Sequence, residues 1–176
     1  MTYPRPGDQI CAIPVFTRSY DLEILKNAIL LSKAIEKWQD KPTYKEPSKI
    51  HWFVWLLENP KSPISLTGAI DLYNHDIIHI LLERGMEVKD EASVIGFTMG
   101  NSETTSSWVR WLFEFCARYL YPEGYRFSED DLVEFEMGYA YGYTRPKRNI
   151  HLAIFDIQKD VEEIRKEWDI ELINNR

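Results

Sequence analysis

The stretch LTGAIDLYNHDIIHILLER, residues 66–84, decides how the chain is read, because it is apolar along most of its length yet carries His75, Asp76 and His79. On a helix, at about 100° per residue, His75 and His79 fall about 40° apart, one turn from each other, with Asp76 inside the same arc. Ile70, Tyr73, Ile77, Ile80 and Leu81 cover the back of this helix, while Leu72, Ile78 and Leu82 flank the polar arc on both sides. The helix is therefore expected to be buried, with Gly85 as its C-terminal stop.

Two imidazoles and a carboxylate inside a core need partners, since an unpaired buried polar group costs roughly 1–3 kcal/mol and a lone carboxylate more. A divalent cation satisfies all three. Glu91 is the natural fourth ligand: the helix climbs about 7.5 Å from His79 to Arg84, and residues 85–90 can reach back up to about 20 Å. The mixed nitrogen and oxygen set of His75, Asp76, His79 and Glu91 suits zinc first, then cobalt, iron or manganese, over calcium or magnesium. The competing reading keeps the histidines without metal, hydrogen-bonded to Asp71, Glu83 or backbone carbonyls.

Outward from this segment the pattern stays helical. Helices are expected near 21–39, 90–100, 103–120, 129–142 and 157–168, after an irregular arm over 1–20. Ser128 and Asp131 resemble a capping box at the start of 129–142. The apolar run 50–58 fits a buried helix or a strand equally well. No repeat or linker divides the chain, so residues 1–176 are read as a single, mainly α-helical, compact domain with a metal site between adjacent helices.

Composition narrows the function classes. A net charge of −7 argues against nucleic acid, whose phosphates are bound by clustered Lys and Arg. Cys11 and Cys116 are too far apart in sequence for a redox or zinc pair, which points to a cytoplasmic setting. The N-terminal sequence, with prolines at 4, 6 and 14, lacks the apolar stretch of a signal peptide, and no apolar run approaches the roughly 20 residues that span a bilayer.

The string His75-Asp76-Ile77-Ile78-His79, with eleven residues before Glu91, resembles the HDxxH-x11-E metal motif of the coenzyme Q (ubiquinone) biosynthesis protein four family. The likeness is concentrated in residues 59–119. It implies an all-helical protein with one divalent metal beside a cavity for a polyprenyl tail, with His75, Asp76, His79 and Glu91 as ligands. The implied partner is a prenylated quinone precursor or another isoprenoid lipid, at a membrane surface and alongside other quinone-pathway enzymes. The implied reaction removes the ring carboxylate and hydroxylates the same carbon.

Further residues carry two readings each. Ala92, Gly96 and Gly100 form a small-residue stripe beside Glu91 that either lines a hydrophobic-ligand cavity or packs a helix closely; Gly138 and Gly142 pose the same choice. Arg110 and Arg118 either meet an anionic substrate or form surface ion pairs. Arg145, Lys147 and Arg148 are the only basic cluster, at a helix end where cations favour the dipole. Trp108, Trp111, Phe113 and Phe115 read as core. Two other functions stay open at this point. One is an HD-type metal-dependent phosphohydrolase built on His51, His75, Asp76 and Asp130 or Asp131. The other is a non-catalytic hydrophobic-ligand or scaffold protein whose metal only fixes two helices.

Overall fold

The computed structural model describes residues 29–41 and 66–172; the expected arm over 1–20, the run 50–58 and His51 lie outside them. Six α-helices carry the described residues, and no named strand occurs among them. They are α1 (Leu31–Gln39), α2 (Leu72–Leu82), α3 (Val88–Asn101), α4 (Ser107–Phe115, prolonged by a π-helical turn, Cys116–Leu120), α5 (Glu129–Tyr143) and α6 (Val161–Glu167). The mainly helical, compact expectation holds.

The decisive stretch is shorter as a helix than its apolar pattern suggests. Gly68 takes a left-handed backbone at φ 87°, and helix α2 starts only where Asp71 accepts the backbone N–H of Asn74 at 3.1 Å. Its end is not set by Gly85. Glu83 adopts the left-handed cap at φ 51°, a conformation costly for a residue with a Cβ. Arg165 of α6 offsets that cost. Buried to 1 % exposure, it donates to the carbonyls of Ile80 at 2.9 Å and Leu81 at 2.8 Å, and pairs with Glu83 at 3.2 Å and with Glu162. The last turn of α2 thus has its free carbonyls satisfied by a cation placed where the helix dipole favours one.

Helix α5 opens on the capping box read from sequence: Ser128 accepts the N–H of Asp131, and Asp131 accepts the N–H of Ser128. Asp160 and Glu163 repeat the device at α6. Asp131 is therefore committed to a helix start and Asp130 is exposed, so neither stands with the histidines as the phosphohydrolase order requires.

Helices α3 and α5 share the tightest contact. A Cβ on Gly96 or Gly100 would overlap the carbonyl oxygens of Phe135 and Tyr139, and one on Gly138 or Gly142 those of Ser93 and Phe97. Two glycine pairs, each spaced by four, let the backbones touch. The small-residue stripe is thus occupied by α5, and Gly96 and Gly100 line no channel; Ala92 is buried in the cluster beneath α4. Arg148 closes the same end of both helices, donating to Gly100 O at 2.8 Å and Tyr143 O at 2.6 Å, so it serves as a shared C-terminal cap.

Two apolar clusters result. One joins α1, α2 and α6 to Val94 and Phe97; the other joins α3, α4 and α5 around Phe113 and Phe135. Of the four aromatics of α4 read as core, only Phe113 is buried, while Trp108, Trp111 and Phe115 are exposed. The helix lies on the surface, and the inner stripe is Val109, Leu112, Phe113, Cys116 and Ala117, which leaves the other three rings on the opposite side.

Candidate metal centre

Helix α2 presents His75 and His79 one turn apart, with ring centroids 4.6 Å apart and the rings edge to face. Helix α3 begins three residues earlier than Glu91 and brings that carboxylate against both rings from the facing side. Glu91 Oε2 lies 3.4 Å from His75 Nε2 and 3.3 Å from His79 Nε2. One ligand atom from each of the three lies within 4.8 Å of the others. Tetrahedral ligands at about 2.0–2.2 Å from a shared metal stand about 3.3–3.6 Å apart, so the two measured nitrogen–oxygen distances match the edges of such a site.

The electrostatics fit a cation equally well. All three residues are buried. Burial pushes both imidazoles down to about 4, although Glu91 pulls His75 upward and Asp90 pulls His79 upward. Both rings are therefore neutral near pH 7, with lone pairs available to a metal. Burial pushes Glu91 up to about 7, against the pull of His75. Without a cation this carboxylate has no charge to meet its own. His75 Nε2 has no hydrogen-bond partner, an expensive state for a buried polar atom, whereas His79 is hydrogen-bonded to the backbone at Arg84 and Gly85 and meets Glu91 through Nε2. A divalent metal on His75, His79 and Glu91 relieves the burial cost of the carboxylate and takes up His75 Nε2.

Asp76 does not join them. It is buried on the same helix, but its step of about 100° from His75 and its short side chain leave it outside the convergent set. Its charge acts instead on Lys41, whose ammonium is pushed down to about 8 by burial and drawn back up by Asp76. Of the four residues read as ligands from sequence, the structure brings three together, a two-histidine, one-carboxylate set.

No family model, curated protein or solved structure matches this chain.

The residues around the site come from distant parts of the sequence. Trp38 of α1 lies against His79 with ring centroids 5.3 Å apart, and Lys41 Nζ sits 3.9 Å from the centre of the Trp38 ring. Sequence reasoning read Trp38 as helix core and gave Lys41 no role. The only signal was that Trp38 stands on the last turn of a helix that has to pack somewhere, with Lys41 two residues beyond its end.

A narrow, water-sized pocket of ≈ 30 Å³ opens beside His75. Leu66, Ile70, Ile95, Met99 and Phe113 give it apolar walls, and Thr67 and Thr98 add hydroxyls. Thr67 holds Thr105 at 2.7 Å, which ties the 66–70 segment to the turn before α4. Helix α3 does line a cavity, therefore, but with Ile95, Thr98 and Met99 rather than with Ala92, Gly96 and Gly100.

The two arginines read as anion-binding are engaged elsewhere. Arg110 pairs with Glu114 at 3.3 Å and Glu136 at 3.5 Å, and Arg118 pairs with Glu129 at 2.6 Å. Of the basic cluster, Arg145 pairs with Asp169 at 3.4 Å and Lys147 lies over Trp168 at 4.1 Å, so these cations are also internally matched. Among the described residues no helix is long and apolar enough to cross a membrane.

Proposed function

We propose that this chain holds one divalent metal on His75, His79 and Glu91 and uses it on an apolar, ring-bearing ligand lodged in the adjoining pocket. The observation that carries the reading is the convergence of two buried imidazoles and one buried carboxylate on a single point. The pocket at His75 supports it, because it gives an incoming ligand access to one ligating residue of the site.

The HDxxH-x11-E resemblance supports a finer form of the proposal, in which the ligand is a prenylated quinone precursor at a membrane surface whose ring carboxylate leaves as carbon dioxide and is replaced by a hydroxyl group, with dioxygen as the oxidant and source of the oxygen atom. In that reading a bound metal supplies Lewis-acid or redox chemistry at an oxygen of the ring. The chain's own residues do the rest. His75 and His79 offer lone pairs without competing protons, and Glu91 balances the metal's charge where water cannot. The apolar walls of Ile70, Ile95, Met99 and Phe113 exclude bulk solvent, and these side chains would have to part to admit a ring.

Elemental analysis of the purified protein tests the metal, with about one ion per chain expected. His79→Ala and Glu91→Gln should each lose it, and Asp76→Asn should keep it. Full stoichiometry in His79→Ala defeats the assignment. Mass spectrometry of co-purifying lipids, followed by carbon dioxide release from a prenylated hydroxybenzoate, tests the finer reading. Metal without bound or consumed prenylated ring leaves a site that only fixes α2 against α3.

A further inference from the structure

Every exposed residue from 107 to 120 except Ser107 is apolar or aromatic: Trp108, Trp111, Phe115, Tyr119 and Leu120. A solvent-facing helix side normally carries charges, and α4 has three at Arg110, Glu114 and Arg118. All three are drawn sideways into the ion pairs with Glu136 and Glu129. What remains is a continuous ridge. Trp108 stacks on Trp111 at 5.0 Å, Trp111 on Phe115 at 5.6 Å, and Phe115 leans on Tyr119 at 5.3 Å. These four rings are 64 %, 51 %, 41 % and 59 % exposed in that order. The ordering entropy of large side chains is already spent by their mutual stacking, so the ridge meets a partner preformed.

We propose that this ridge docks the protein onto a lipid surface with zwitterionic headgroups. Three observations select that occupant. At about 150–250 Å² per aromatic side chain, four half-exposed rings offer roughly 400 Å², about half of the ~800 Å² that each partner contributes to a stable protein interface. A single-helix ridge also encloses nothing, whereas the interfacial layer of a bilayer receives a ridge of Trp and Tyr, whose ring bodies are apolar and whose N–H and O–H tips are polar. Charge weighs against two alternatives: two copies each carrying −7 repel, and so do this chain and an anionic bilayer. The inference stands on the α4 surface alone and does not need the metal.

Flotation of the full chain with phosphatidylcholine vesicles tests it. The wild type is expected to float, with little dependence on salt. Trp111→Glu with Phe115→Glu should lower the partition coefficient at least tenfold while circular dichroism stays unchanged, since both side chains are exposed. Ile154→Glu, at an apolar residue exposed elsewhere, should float like the wild type. His79→Ala should float as well, which separates this inference from the metal site. A wild type that stays unbound overturns the proposal, as does a double variant that floats normally or an Ile154→Glu variant that loses binding. Light scattering that finds a dimer, reduced to monomer by Trp111→Glu, assigns the ridge to a second copy instead.

Discussion

Replacing Glu91 by Gln should change stability in opposite directions with and without metal. In the metal-free protein Glu91 titrates near 7 rather than at its ordinary 4.5, because burial disfavours the charged form. A carboxyl group with a raised folded-state pKa favours folding fully below pH 4.5 and loses that contribution as pH rises toward 7. The difference of about 2.5 units corresponds to about 3 kcal/mol lost by pH 8. Glutamine has nearly the same shape and never ionises. In chelator at pH 8, Glu91→Gln should therefore be more stable than the wild type by up to about 3 kcal/mol, or about 6–12 °C in Tm for a chain of this size. At pH 4.5 the two should unfold together. With saturating zinc the order reverses, because only the wild type gains the full stabilisation of ligand binding to the native state. Thermal unfolding followed by circular dichroism, with chelator and with metal at both pH values, reads all four arms. If the variant is less stable in chelator by the same margin at pH 8 and pH 4.5, Glu91 is satisfied by protein partners, and the argument for a cation fails.

Metal affinity should itself depend on pH with a defined sign. The imidazoles, pushed down to about 4, are already neutral above pH 5, so Glu91 near 7 is the proton that competes with metal; a competing chelator dye should show affinity falling about tenfold per unit below pH 7 and levelling off above it. Gly96→Ala and Gly138→Ala should each cost about 1–3 kcal/mol or more in chemical denaturation, because the added Cβ meets backbone carbonyls of the opposite helix, which cannot rotate away. Arg165→Met should cost about 3–5 kcal/mol by leaving the carbonyls of Ile80 and Leu81 and the Glu83 carboxylate without their cation. Hydrogen exchange should show the last turn of α2 opening first in that variant, with metal affinity falling because His79 stands in the same turn.

The fold class and half of the centre are written in local sequence. Period-3.6 apolar spacing specifies α2, the four-residue interval puts both imidazoles on one side of it, and Ser128 with Asp131 starts α5, because each of these effects acts within a turn or two of the backbone. The helix boundaries show where local reading ends. Leu66 to Ile70 continue the apolar pattern but turn at Gly68 to wall a pocket, and Glu83 rather than Gly85 takes the left-handed cap because Arg165, over 80 residues away, compensates it. Asp76 shares the arc of the histidines, yet its charge acts on Lys41, just beyond the end of α1. Glycines at 96 and 100 read equally as channel or contact until the matching pair at 138 and 142 is seated against them. The rings of α4 have core composition but lie outside, since burial is a property of what covers a face and the helix spacing only says which residues share it. Sequence alone thus determined the helices and the imidazole pair; contacts between residues far apart in the chain decided which carboxylate meets that pair, which small residues are filled, and which aromatic face is left bare.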